Sequence, residues 1–301
     1  MSTITFPIVC KSDEDIPSVM LNLEAIVKKG RILPKGVTFD MLRPYRVTYV
    51  HPLWIEPLMD ANINNIMLGV HACEYINSLK LSPPSIDILR VFSMDPTKIK
   101  VVLIGQDPYP LTYKLKGDPV EYTDAIGYSF ATKNPKGSAS LKNIYNELTL
   151  EGFPVINPND YSLSGWIEQG VFLLNFCLVY YRSGTKVEPA IEVPWWKLFT
   201  KNIIQSIEKF NPHTKFLLMG SFAQSLMKNG YIKREQSCVT CGHPSSRNVG
   251  DTTSFIGSGC FNMVNHILGN DCIKWQQNVS EAEMRTLQTH VHHDHQQSEQ
   301  P

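Results

Sequence analysis

The chain has no apolar run approaching the roughly 18 to 20 residues of a membrane-spanning helix, although 43% of its 301 residues are hydrophobic. Residues 1–19 hold no apolar stretch of the kind that drives secretion, and Asp13, Glu14 and Asp15 interrupt the segment, so an intracellular protein is expected. No G-x-x-x-x-G-K-[ST] occurs. Gly257-Ser258-Gly259-Cys260-Phe261-Asn262 falls short of a dinucleotide fingerprint and follows no convincing strand. Residues 1–50 show no clear repeat and no low complexity. The 7 cysteines are an odd number without an extracellular context, which fits reduced thiols better than a disulfide framework. Cys238-Val239-Thr240-Cys241 has no second pair at matching spacing, because Cys260 and Cys272 lie twelve apart. A strand carrying two small buried residues is therefore preferred to a zinc site, and no metal is expected.

Net charge is absent as well, with 28 basic and 28 acidic residues, but the balance is uneven. Residues 1–95 carry 9 basic and 10 acidic side chains, residues 96–276 carry 18 and 14, and residues 277–301 carry 1 and 4. The middle of the chain is mildly basic. Any affinity for nucleic acid there should be modest and salt-sensitive, with backbone N–H groups and hydroxyls sharing the work of holding phosphates.

What is present is a composition able to bury a sizeable core. Val101–Gly105, Val171–Leu174 and Phe216–Met219 are short unbroken apolar runs, the pattern of parallel strands covered on both faces. A further short strand is expected near Cys238–Cys241. Between them, Leu141, Ile144, Tyr145 and Leu148 mark one helix, for which Ser140 is a suitable N-cap. Trp196, Phe199, Ile203, Ile207 and Phe210 mark another, and Ile63 to Leu79 reads as an earlier one. Strands alternating with helices predict an α/β fold with a parallel sheet. Asp107, Asn175, Ser221 and His243 each fall just after a strand, and ligands of such sheets bind beyond the carboxyl ends of the strands. Residues 1–50 read as an N-terminal extension. Residues 277–301 read as a polar, disordered tail.

The decapeptide Val101-Val102-Leu103-Ile104-Gly105-Gln106-Asp107-Pro108-Tyr109-Pro110 resembles the water-activating loop of family 1 uracil-DNA glycosylases. Five further segments resemble the family's other motifs in the same order. These are Ala125–Phe130, Ser140–Leu148, Leu163–Trp166 leading into Gly170–Asn175, Phe216–Gln224 and Gly242–Arg247. The resemblance spans roughly residues 51–276, which would form the catalytic domain. It implies one α/β domain with a central parallel four-stranded sheet flanked by helices.

The resemblance also implies roles. Asp107 would orient water and stabilise the cationic sugar, and His243 would donate a hydrogen bond to uracil O2. Asn175 would read O4 and N3–H of the base, and Phe130 would stack on it. Tyr109 would exclude the 5-methyl group of thymine, and Gln106 would offer backbone contacts. Ser140, Ser221 and Ser245 resemble the serines that grip phosphates. On the residues alone, Asp107 or Asn175 would serve equally as a cap and Phe130 as a core ring. Two positions depart from the common pattern. Pro110 stands where most members have His, and Arg247 where cellular members have a leucine wedge. Poxvirus members are similar in both respects, which suggests a large DNA virus as the source. The implied activity is hydrolysis of the N-glycosidic bond of deoxyuridine in DNA, without a cofactor, by a monomer acting in the nucleus or wherever DNA is replicated. The alternative is a DNA-binding replication or processivity component with little excision. In either case residues 1–50 are the segment expected to dock a replication or repair protein.

Overall fold

The computed structural model describes residues 6–8, 44–46, 50–63, 66–67, 70, 80–183, 186–188, 193–245 and 254–285. Its centre is a four-stranded, all-parallel sheet of β1 (Val101–Gly105), β2 (Val171–Asn175), β3 (Lys215–Met219) and β4 (Cys238–Cys241), in the order β2-β1-β3-β4. Gly105 is in register with Asn175, Leu217 with Leu103, and Met219 with Cys241. The chain thus leaves β1 first to one side and then to the other. Such reversals of strand order open a crevice at the carboxyl edge of the sheet.

Alternating side chains of these strands enter two separate cores. Val102, Ile104, Phe172, Leu174, Phe216 and Leu218 face one core, whereas Val101, Leu103, Val171, Leu173, Leu217 and Met219 face the other. Both faces are covered, which is why the strands are unbroken apolar runs rather than alternating ones. On the first face lie Trp54, Phe92, and the helices α3 (Val193–Phe210) and α4 (Gly220–Lys228) through Trp196, Phe199, Ile203, Ala223 and Leu226. On the second lie α1 (Ala139–Leu150), the short α2 (Ser164–Glu168) and α5 (Cys260–Leu268), through Leu141, Ile144, Trp166, Phe261 and Val264. Each fully buried Leu, Ile or Phe contributes about 1.5–3 kcal/mol.

Polar contacts tie these layers down. The buried Glu147 carboxylate of α1 accepts from the Gly257 and Gly259 amides, at 2.5 and 2.9 Å, and from the Ser258 hydroxyl. Glu151 accepts from the Phe261 and Asn262 amides at the start of α5. Carboxylates are favourable there because the first amides of a helix have no partner within it.

Three expectations change. Ser138, not Ser140, caps α1: its hydroxyl accepts from the Leu141 amide at 3.1 Å, and Ser140 lies inside the first turn. Ser138 occupies the extended conformation that a capping residue requires. The expected disordered tail does not begin at 277. Asn278 is fully buried and bonds Asn157 and Asp160, and Val279 is buried too. Gly165 admits this strand of chain: a Cβ there would lie 2.3 Å from the Gln277 carbonyl and 2.2 Å from that of Val279. Residues 281–285 are helical, so ordered chain runs to at least 285. Two small sheets were not foreseen, one pairing Lys80–Ser82 with Tyr180–Ser183 and Lys186–Glu188, the other a hairpin of Thr112–Lys114 and Glu121–Thr123. Of the expected extension, Phe6–Ile8 and Pro44–Arg46 form a parallel pair. Of the helix expected over 63–79, residues 63, 66, 67 and 70 are helical and the others lie outside the described residues.

Candidate active site

The carboxyl ends of β1, β2 and β4 open into one cleft of about 320 Å3. Gln106, Asp107, Tyr109 and Pro110 form one side, Phe130, Tyr128 and Ser140 another, and Asn175, Tyr180 and His243 complete it. Seven of the ten residues expected in the site therefore meet in a single cavity. Ser221 and Ser245 are exposed nearby in sequence, after β3 and after His243, but do not line it. Arg247 lies outside the described residues.

The β1 and β2 loops are held together beyond their strands. Phe176 N–H donates to the Gly105 carbonyl at 2.8 Å, and Cys177 N–H to the Gln106 carbonyl at 3.0 Å. The ladder thus continues into the loops and fixes Asp107 against the segment that follows Asn175. The Asp107 carboxyl is raised above the usual carboxylate range by burial, an effect opposed by hydrogen bonds with the Cys177 thiol and the Gln106 side chain. In its ionised form, a carboxylate raised in this way is a better base than an exposed one.

Asn175 is almost fully buried. Its amide sits against Gly105, where a Cβ would approach Asn175 Oδ1 to 2.4 Å and Ser129 Cβ to 3.0 Å. Glycine is required at 105 for space, and the backbone of β1 serves as the floor on which the amide rests.

Phe130 has a left-handed backbone, φ 63°, which costs a non-glycine residue about 1–2 kcal/mol. Neighbouring bonds impose it. Ser129 N–H donates to the Leu173 carbonyl at 2.9 Å, and the Tyr109 hydroxyl donates to the Phe130 carbonyl at 2.8 Å. With its proton so used, the Tyr109 oxygen accepts from the Ser138 hydroxyl at 2.7 Å. Burial of that hydroxyl pushes the Tyr109 pKa far up. At the other end of the residue, Ser82 Oγ donates to the Tyr109 carbonyl at 2.7 Å. Tyr109 is thereby clamped at its backbone and its tip, and it fixes Phe130 in turn.

His243 Nδ1 accepts from the Ser245 amide at 3.0 Å. A backbone amide can only donate, so Nδ1 carries the lone pair and the neutral ring holds its proton on Nε2. His243 remains exposed, and partial desolvation of the ring lowers its pKa, which favours the neutral form. The loop is held by Asn143 Nδ2, which donates to the Pro244 carbonyl at 2.8 Å. Gly220, φ +87°, gives the ring room: a Cβ there would lie 2.8 Å from that of His243.

Sequence reasoning missed Ser82, Ser138, Cys177, Tyr128 and Tyr180. Tyr128 lies within the Ala125–Phe130 segment but was given no role there, and the other four lie outside the quoted segments, so only the tertiary structure brings them to the site. The four central residues share one chemistry: a carboxylate, a neutral imidazole donor, a buried amide with paired donor and acceptor, and an aromatic face. That set can bind a planar heterocycle edge-on and face-on while water is held beside it.

Residues 92–266 match the model of the uracil DNA glycosylase superfamily. A uracil-DNA glycosylase of Actinobacillus succinogenes is 35% identical over 189 residues, covering 62% of this chain and 78% of that one. One of Campylobacter fetus is 33% identical over 236 residues, covering 75% and 92%. One of human herpesvirus 7 is 34% identical over 188 residues, covering 60% and 66%. The fold resembles the crystal structure of mimivirus uracil-DNA glycosylase, with a TM-score of 0.63 at 22% identity over 77% of this chain and 89% of that one. A four-stranded parallel sheet with a polar cleft at its carboxyl edge, the ordered motifs and these relatives lead to one assignment: the chain belongs to the uracil DNA glycosylase superfamily.

Proposed function

We propose that the chain is a uracil-DNA glycosylase, which hydrolyses the N-glycosidic bond of deoxyuridine in DNA, releases uracil and leaves the abasic site from which base excision repair proceeds. The observation that carries this reading is the convergence of Asp107, Phe130, Asn175 and His243 on one cleft in a chain of this superfamily. Breaking the C1′–N1 bond sends its electron pair to uracil and leaves positive charge on the sugar. Asp107 stabilises that charge, orients the water that bonds to C1′ and takes its proton. Nε2–H of neutral His243 donates to O2, where negative charge collects.

The amide of Asn175 pairs with O4 and N3–H. Cytosine presents the opposite donor and acceptor, and a buried hydrogen-bonding site rejects such a mismatch strongly. Phe130 stacks on the flipped base. The clamped ring of Tyr109 closes the space a 5-methyl group would need. Ser140, Ser221, Ser245 and Arg247 hold the DNA backbone, and residues 1–50 dock a replication or repair protein at the place where DNA is copied or mended. No specific observation favours a DNA-binding component without excision.

The test is conversion of a uracil-containing oligonucleotide to an alkali-labile abasic product. Cleavage is expected at uracil and not at cytosine or thymine in the same context. Equal cleavage at all three, or none, would overturn the reading.

A further inference from the structure

Tyr109 is held by hydrogen bonds whose partners all lie outside its own loop. At the tip, the Leu141 amide donates to Ser138 Oγ at 3.1 Å, the Ser138 hydroxyl donates to the Tyr109 oxygen at 2.7 Å, and the Tyr109 hydroxyl donates to the Phe130 carbonyl at 2.8 Å. Each hydroxyl in this chain accepts one bond and donates one, so the bonds are compatible and polarise one another. At the backbone, Ser82 Oγ donates to the Tyr109 carbonyl at 2.7 Å. Ser82 is fully buried and ends the strand Lys80–Ser82, in register with Tyr180 of the neighbouring strand. Tyr180 lines the cleft with Tyr109, so this small sheet reaches the same cavity.

A ring excludes a methyl group only as firmly as it is held. If it can retreat, the larger base fits without overpacking and discrimination is lost. An apolar pocket by itself distinguishes one methylene weakly. Neither serine is among the described residues that line the cleft, so each acts through Tyr109.

We propose that Ser82 and Ser138 are specificity-determining positioning residues: by holding both ends of Tyr109 they make its ring a rigid wall, and rejection of bases substituted at C5 depends on them as well as on the ring. This inference rests on the proposed role of Tyr109. The hydroxyl chain ends on Phe130, whose left-handed backbone, φ 63°, needs such support. One set of bonds therefore sets both the ring that excludes and the ring that stacks. A serine that only supported the fold would, when lost, slow release of every base alike.

The experiment compares wild type with Ser138→Gly, Ser138→Thr, Ser82→Ala and Tyr109→Phe. Single-turnover release is measured from single-stranded oligonucleotides carrying uracil, 5-fluorouracil, 5-chlorouracil, thymine or cytosine at one position. Glycine caps a helix almost as well as serine, so Ser138→Gly opens the clamp with little damage to α1, and threonine keeps both cap and donor. The electronic effect of each halogen is common to all the proteins, so the ratio of variant to wild type reports size. Ser138→Gly, Ser82→Ala and Tyr109→Phe should each raise release of the larger bases relative to uracil by about 3- to 10-fold, the size of one net hydrogen bond, with the preference for uracil over cytosine within about twofold of wild type. Ser138→Thr should match wild type, and Ser138→Gly should add nothing in the Tyr109→Phe background. Equal losses for every base, no relaxation toward the larger ones, or additive effects in the double variant would overturn the proposal. Binding of free uracil and free thymine, followed by ligand-observed NMR, needs no turnover. The same variants should narrow the difference between the two bases, and an unchanged difference would also overturn the proposal, even if the chain releases no base. A wild type that releases nothing, or releases thymine as fast as uracil, would instead count against the proposed function.

Discussion

Replacing Gly105 by Ala places a methyl group 2.4 Å from Asn175 Oδ1 and 3.0 Å from Ser129 Cβ. An ordinary contact of this type is about 3.4 Å or more, so the amide must retreat by about 1 Å. It has little room, because Asn175 is buried and both backbones are locked by the Gly105–Asn175 register and by Phe176 N–H donating to the Gly105 carbonyl. Gly105 does not have a left-handed backbone, so the cost is steric alone. Overpacking of this kind costs about 1–3 kcal/mol, and for a domain of this size each kcal/mol lowers Tm by about 2–4 °C.

The larger effect is on function. A displacement of about 1 Å at a reading group lowers turnover by roughly 100-fold, and discrimination should weaken with it. The assay is a double-mutant cycle of Gly105→Ala and Asn175→Ala, scored by Tm and by single-turnover uracil release. If the methyl group acts through the amide, Gly105→Ala should have little effect once Asn175 is alanine. Wild-type rate and Tm in Gly105→Ala, or costs that simply add in the double variant, would refute the reasoning.

Other outcomes follow from the same geometry. Asp107→Asn should raise Tm at pH 7 while removing most turnover. The folded pKa of Asp107 is raised, so the stability associated with its protonated form is present below the unfolded pKa and lost as pH rises through the folded one; the advantage of Asn over Asp should therefore grow from pH 4 to pH 7 in thermal unfolding. For His243 the folded pKa is lowered, so the unfolded chain binds the proton first and this contribution weakens as pH falls below the ordinary histidine range; an NMR titration of its ring should midpoint below 6.5, and a midpoint above that would contradict the Nδ1 assignment. Ser138→Ala removes both the cap of α1 and the donor to Tyr109. It should cost about 1–2 kcal/mol, read as a lower denaturation midpoint, and speed of uracil release should fall with it. Asn175→Asp should relax the preference for uracil over cytosine in paired oligonucleotide assays, and unchanged discrimination would remove Asn175 from the reading of the base.

The central sheet was legible because its strands are buried on both faces, which forces the unbroken apolar runs at Val101–Gly105, Val171–Leu174 and Phe216–Met219. Residues directly after those runs had to lie at one sheet edge, so the gathering of Asp107, Asn175 and His243 followed from topology. The supports of the site were not legible. Ser138 and Ser140 both suit a cap, and only the bond to Leu141 distinguishes them. The left-handed turn at Phe130 is imposed by Tyr109 and Leu173, distant in sequence, and runs against its own preference. The hairpin at 112–123 is two three-residue strands with exposed Leu115 and Val120, too short for a periodicity to register. The ordering of 277–285 depends on Asn278 filling a polar pocket that a polar sequence does not advertise.

The account's central claim is that this cleft excises uracil with Asp107 as the group beside the reacting carbon. The most direct measurement is release of labelled free uracil from a single-stranded oligonucleotide in the presence of EDTA, by wild type and Asp107→Asn in parallel, with DNA binding measured for both. The account predicts release by wild type, a loss of most turnover in Asp107→Asn, and similar binding by the two. Equal release by both proteins, or binding without release by the wild type, would contradict it.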